Sequence, residues 1–103
     1  MTHGEIQTIG VKDIEKYQRR AEVEFIDVRE KEDYDLFHIH GARNLPYDDM
    51  ERWEKRLDRE KTYVLYCERG SLSMMAAKQL SGQGYSVCTL VGGIRAVLER
   101  NLD

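Results

Sequence analysis

Apolar positions along this chain alternate between two rhythms. Short runs of strand-favouring residues occupy residues 6–9, 23–28, 62–66 and 86–91, and "ARNLP" reads as a further brief strand stopped by Pro46. Between them, apolar residues return every three or four positions. Val11, Ile14 and Tyr17 predict a helix with Gly10 as an acceptable N-cap and Asp13 in its first turn. Residues 32–37 predict a short helical turn. Asp48 and Asp49 open a helix whose Met50, Trp53 and Leu57 share a face. Residues 73–80 predict a helix ending near Gly82 and Gly84, and Ile94, Val97 and Leu98 mark a last helix after Gly92 and Gly93. No repeat, low-complexity stretch or linker divides the chain, so residues 1–103 are expected to form a single domain. Strand followed by helix, repeated, predicts an α/β fold with a mainly parallel sheet and helices on both faces.

Composition narrows the function classes. At 103 residues with 41% hydrophobic and 34% charged content, the chain reads as globular. A net charge of -3 with interleaved signs argues against nucleic acid as a partner. No apolar run approaches the ~18 residues that span a bilayer, so no membrane partner is expected. The stretch "MTHGEIQTIG" lacks the features of a signal peptide, which makes a cytoplasmic location the default expectation. Two cysteines, Cys67 and Cys88, are present without a C-x-x-C pair, so neither a zinc ribbon nor a dithiol motif is indicated.

The chemistry centres on "TYVLYCERGSLSMMAAKQL". In parallel α/β sheets, ligands sit beyond the carboxyl ends of the strands, and Cys67 stands at such an end. The segment after it must turn sharply into a helix beginning near Ser71 to Ser73, and Gly70 permits the backbone angles such a turn needs. A turn of this kind can point successive N–H groups inward as an anion cradle, and the helix N-terminus adds free donors. A cysteine facing the cradle is expected to ionise readily, since such sites hold thiols at a pKa of ~3.5–7.5. Cys67 is therefore the candidate nucleophile. Cys88, inside "SVCTL", reads as a small buried hydrophobe. Two reactions suit a cysteine in an anion cradle. Phosphate-ester hydrolysis uses C-x5-R, whose arginine clamps phosphate, but six residues after Cys67 stands Ser73. The other is sulfur transfer, in which the cradle holds the outer sulfur of a cysteine persulfide.

Four stretches together carry a family resemblance. "FIDVRE", "HIHGARNLP", "CERGSLS" and "LVGGI" resemble, in order, the "IDVRE", "HIPGAxNIP", C-x-x-G-x-x-Ser and "LxGGI" segments of single-domain rhodaneses, which are sulfurtransferases. The chain departs from that pattern at Phe37 and His40 around His38, at Ala96 and Val97 where a tryptophan is usual, and at Glu68, where arginine is frequent. The resemblance implies a rhodanese-like domain with a small five-stranded sheet. It also implies transfer of sulfane sulfur from thiosulfate, a polysulfide or a persulfide to cyanide or a thiol through Cys67. The six-residue loop is the family's sulfur-transfer form, whereas phosphatase and arsenate-reducing relatives carry a longer one. An alternative within the family is a non-catalytic protein-binding or sulfur-carrier module.

The site that follows from the resemblance is Cys67 as nucleophile, with Glu68, Arg69, Gly70, Ser71, Leu72 and Ser73 supplying the cradle. Glu68 is expected to lower the local positive potential, and Arg69 is a candidate for attracting an anionic donor. Family counterparts of Asp27 and Arg29 lie close to the loop and hold it. His38 is expected to be structural, with its ring bonded to backbone near the loop. No metal or organic cofactor is required, and the partners are a small sulfur donor and a thiol, cyanide or protein acceptor. His3 is expected to be unstructured. Met74, Met75, Ala76 and Ala77 are expected in the core, and "DDMERWEKRLDRE" on a solvated helix face.

Overall fold

The computed structural model of the protein describes residues 6–101. His3 lies outside the described residues. Five strands, β1 (Gln7–Ile9), β2 (Val23–Asp27), β3 (Arg43–Asn44), β4 (Thr62–Tyr66) and β5 (Ser86–Leu90), form one sheet in the order β1-β5-β4-β2-β3. Every pairing is parallel, with Phe25 opposite Val64 and Val64 opposite Cys88. The sheet is thus wholly, not mainly, parallel, and the carboxyl ends of all the strands share one edge.

The helices are α1 (Ile14–Gln18), α2 (Lys31–Leu36), α3 (Met50–Trp53), α4 (Ser71–Gly82) and α5 (Gly93–Asn101), with 3-10 turns leading into α1 and on both sides of α3. The period-2 alternation of the strands divides the core in two. Tyr63, Leu65 and Cys67 face one side, where they meet Met50, Trp53, Leu57, Ala76 and Leu80 from α3, α4 and the turn between α3 and β4. Val64, Tyr66 and Cys88 face the other, with Ile14 and Ile94 from α1 and α5. Ala76 and Ala77 are fully buried. Small side chains there let α4 lie close to the sheet and carry its N-terminus to the end of β4.

Several elements differ from expectation. Helix α4 begins two residues earlier than the periodicity suggests, at Ser71, because Gly70 supplies its N-cap. Met75 is 54% exposed, since the face of α4 that packs on the sheet is set by Ser73, Ala76, Ala77 and Leu80. Glu54 is buried rather than solvated. Its two carboxylate oxygens accept hydrogen bonds from Gln79 and Gln83 of the neighbouring segment, at 2.8 and 2.9 Å. A buried carboxylate is tolerated when it is hydrogen-bonded, and these two amides tie the α3 region to α4.

Candidate active site

Strand β4 ends at Tyr66, and Cys67 follows directly, its side chain on the α4 face and 3% exposed. The next three residues reverse the chain into α4. Gly70 makes this possible with φ +122°, a backbone conformation that side chains other than hydrogen resist. The reversal turns the N–H of Gly70 back onto Cys67 Sγ at 3.1 Å, and the N–H of Ser73 in the first turn of α4 reaches the same sulfur at 3.3 Å. Ser73 is fully buried, and its hydroxyl lies 3.6 Å from Sγ while donating to the Gly70 carbonyl at 3.1 Å. Two N–H groups and the positive end of a twelve-residue helix thus converge on one sulfur atom.

The outward half of the loop is held from behind. The carbonyls of Cys67 and Glu68 accept the N–H groups of Ile94 and Arg95 at 2.9 and 3.1 Å. With these carbonyls committed to the start of α5, the N–H groups of Gly70 and Ser73 are the ones that face the sulfur. The contact is so close that a Cβ on Gly93 would sit 2.5 Å from the Cys67 carbonyl oxygen. Gly93 also has φ +64°. The "GGI" segment is therefore the back wall of the cysteine loop, a role its sequence did not announce.

At the end of β2, Asp27 is fully buried and Arg29 is 8% exposed. Asp27 Oδ1 accepts the Arg29 backbone N–H at 2.9 Å and its Nε at 3.0 Å, and Oδ2 accepts Nη2 at 2.8 Å. Nη2 also donates to the Phe37 carbonyl at 2.6 Å. Burial weakens the charge of Arg29, but hydrogen bonding to Asp27 and its negative charge outweigh this and raise its pKa. Arg29 then reaches across the strand ends to Glu68, Nη1 to Oε1 at 3.5 Å, while Arg95 Nε meets Glu68 Oε2 at 3.0 Å. Glu68 is therefore not the unopposed negative charge expected of it. It is a latch between β2, the cysteine loop and α5, with two guanidiniums offsetting its charge. Tyr66 lies behind the pair, its hydroxyl accepting the Ile39 N–H at 3.1 Å, and burial pushes its pKa far above the usual phenol range.

A cleft of about 600 Å3 opens over Cys67, lined by Arg29, Glu68, Arg69, Ser71 and Leu72 and, from elements the sequence reading did not connect to the site, by Val28, Glu30, Asp33, Tyr47 and Asp48. Arg69 faces this cleft and is exposed. Asp27 lies beneath it, acting through Arg29. His38 is elsewhere. Its Nδ1 is bonded to the Tyr34 carbonyl at 2.8 Å and its ring stacks on Tyr34 at 3.7 Å between centroids, so it rigidifies the turn after α2 rather than the cysteine loop. Its link to the site is indirect, through the neighbouring Phe37 carbonyl that receives Arg29. Cys88 is 4% exposed inside β5, and burial pushes its thiol up to about 11.

Residues 11–100 match the family model described as "Rhodanese-like domain". The chain belongs to the rhodanese-like domain family. Among relatives, YtwF of Bacillus subtilis (strain 168), whose name proposes a sulfurtransferase, is 35% identical over 92 residues, covering 89% of this chain and 87% of that protein. "Thiosulfate sulfurtransferase GlpE" of Coxiella burnetii is 30% identical over 76 residues, covering 73% of this chain and 71% of that protein. A "tRNA sulfurtransferase" of Desulfurococcus amylolyticus is 38% identical over 78 residues, and there the match spans 73% of this chain but only 15% of the relative's length. A rhodanese-related protein from Thermoplasma volcanium superposes with a TM-score of 0.84 at 26% identity, covering 91% of this chain and 92% of that one. Sulfurtransferases thus recur among its relatives. Three of the four motif stretches form the cysteine loop or touch it, and the fourth, "HIHGARNLP", bonds through Asn44 to the Asp27 and Arg29 carbonyls. Among the described residues no helix is long and apolar enough to cross a membrane.

Proposed function

We propose that this domain transfers sulfane sulfur through a persulfide on Cys67. The observation that carries the proposal is the pair of backbone N–H groups, from Gly70 and Ser73, aimed at a sulfur on the floor of an open cleft. Donors so directed favour negative charge on or just beyond Sγ. In the first step the Cys67 thiolate attacks the outer sulfur of a donor. With thiosulfate, the S–S bond of the donor breaks, sulfite leaves with the bonding electron pair, and a new Sγ–S bond forms. The negative charge then resides on the outer sulfur, within reach of the cradle. In the second step an acceptor such as cyanide or a thiolate attacks that outer sulfur, the Sγ–S bond breaks, and Cys67 regains its thiolate. Neither step changes the net charge or requires a proton from the protein, which suits a cleft with no histidine among its described lining residues.

Phosphate-ester chemistry fits less well. A phosphate dianion wants a guanidinium clamp, and the position six residues beyond Cys67 is Ser73, buried with its hydroxyl turned to Gly70. Arg29 is held by Asp27, Phe37 and Glu68, so its fork is already occupied. The test is thiocyanate formation from thiosulfate or polysulfide with cyanide. Turnover by the natural protein and none by Cys67→Ser is expected. Cys67-dependent hydrolysis of an aryl phosphate, with no sulfur transfer from any sulfane donor, would overturn the proposal.

A further inference from the structure

The cleft over Cys67 is far larger than a thiosulfate ion needs, and its charges are unevenly committed. Glu30, Asp33, Asp48 and Glu68 line it against the two guanidiniums of Arg29 and Arg69. Arg29 is engaged by Asp27, by the Phe37 carbonyl and by Glu68. Glu68 in turn is engaged by Arg29 and Arg95. Lys31, the nearest lysine in sequence to the rim, is paired with Asp35. Among the described residues Glu30, Asp33 and Asp48 make no ion pair. What remains facing an incoming molecule is therefore three carboxylates and one guanidinium, Arg69. Glu30 and Asp48 are also close to each other, for the charge of Asp48, ahead of burial and Glu32, raises the pKa of Glu30.

We infer that the sulfur acceptor of this domain is an organic thiol carrying positive charge near its sulfur, and that Glu30, Asp33 and Asp48 select it. The inference rests on the sulfur-transfer reading above. The acceptor thiol releases its proton to water, and its sulfur attacks the outer sulfur of the Cys67 persulfide. The Sγ–S bond breaks with its electron pair returning to Sγ, and the acceptor leaves as a persulfide. An anionic acceptor meets both the rim carboxylates and the negative outer sulfur. A cation beside the attacking sulfur offsets both. The open volume accommodates the organic body, with Val28, Tyr47 and Leu72 as its apolar walls.

The experiment isolates the second step. The protein is loaded with polysulfide, freed of excess donor, and mixed with cysteamine or with 3-mercaptopropionate while the loss of the added sulfur is followed by intact mass. A second pair of acceptors is a short peptide with cysteine flanked by lysines and the same peptide with glutamates. These thiols differ in their own acidity, so the readout is the change in the cation-to-anion rate ratio between proteins and salt conditions. Replacing the three carboxylates together (Glu30→Gln, Asp33→Asn and Asp48→Asn) is expected to lower that ratio about tenfold, given three nearby charges in a solvent-exposed rim. For the natural protein, raising NaCl to about 0.5 M is expected to lower it in the same direction, independently of any substitution. A response confined to the small thiols would identify a low-molecular acceptor, and one confined to the peptides a protein acceptor; either supports the inference. A loaded protein whose ratios move with neither change would overturn it while leaving sulfur transfer intact. A protein that never gains sulfur would overturn the sulfur-transfer reading and this inference with it.

Discussion

Cys67, just past the end of β4, and Cys88, inside the neighbouring strand β5, are both almost wholly buried and differ in what surrounds the sulfur. Cys88 lies inside β5, among apolar side chains such as Ile9, Val64 and Ile94, and burial, only partly offset by the charge of Arg20, pushes its thiol up to about 11. Cys67 lies one residue beyond the end of β4, where ladder pairing has ceased and backbone donors are free to turn toward the sulfur. The comparison separates burial from environment. A thiol withdrawn from water loses reactivity when its neighbours are hydrocarbon and keeps it when they are oriented N–H groups. On the sulfur-transfer reading, strand position rather than side-chain identity or depth sets the two sulfurs apart. The sharp turn at Gly70 and the back wall at Gly93 are what convert a strand end into a donor array.

The widest separation between the two cysteines is expected on substitution. Cys67→Ser should lower sulfur transfer by about a thousandfold or more, because it removes the nucleophile. Cys88→Ser should keep turnover within about threefold and instead lose stability, by about 1–3 kcal/mol, for burying an unpaired hydroxyl. Thiocyanate assays and urea denaturation of both variants check this pair.

The next test attacks the donor array rather than the sulfur. Gly93→Ala drives a methyl group into the Cys67 carbonyl, which lies 2.5 Å from the Cβ position, so the loop must move. A shift of this kind is expected to cost about 10–100-fold in turnover while thiol labelling of Cys67 persists. Gly70→Val should also impair turnover, but by a different cause. The nearest atom to its Cβ is 3.9 Å away, so the damage comes from forcing a β-branched residue to φ +122°. Equal turnover in all three proteins would show that the N–H groups of the loop are not what activates Cys67.

Cys88 gives the smallest effect, visible in the pH dependence of stability. Its thiol is raised from 9.0 to about 11 by burial, so the folded protein holds this proton where the unfolded chain has released it. The stabilisation this thiol contributes is full below pH 9.0 and is lost as the pH rises toward about 11. The buried phenols of Tyr63 and Tyr66 shift the same way, so the contrast is read as a difference. Over that window natural protein should lose stability to urea more steeply than Cys88→Ala. Parallel curves would contradict the burial argument.

Much of this was legible in the chain. The apolar strand running into Cys67, the glycine three residues on and the small-residue helix after it specify a cysteine at a sheet edge, because each is a local signal of period or turn. What was not legible are contacts between residues far apart in sequence. Nothing near Glu68 announces that Arg29 and Arg95 converge on it, so it read as a bare charge disfavouring anions. Glu54 read as solvated because its partners, Gln79 in α4 and Gln83 just past its end, lie far along the chain. Gly93 read as a motif letter because its reason is a backbone contact with a loop more than twenty residues away. His38 read as a loop support, but the preceding helix α2 claims it through Tyr34. The acidic side of the cleft comes from α2 and the turn before α3, segments whose relation to Cys67 exists only in the folded sheet.

The central claim is that sulfur resides on Cys67 and not on Cys88, and peptide mapping measures this directly. The natural protein is exposed to thiosulfate or polysulfide, cleared of donor, alkylated and digested, and each cysteine peptide is weighed. The account predicts one added sulfur atom on the peptide containing Cys67, removed by cyanide as thiocyanate, and none on the peptide containing Cys88. Added sulfur on Cys88, or a Cys67 peptide that gains none from any sulfane donor, would contradict it.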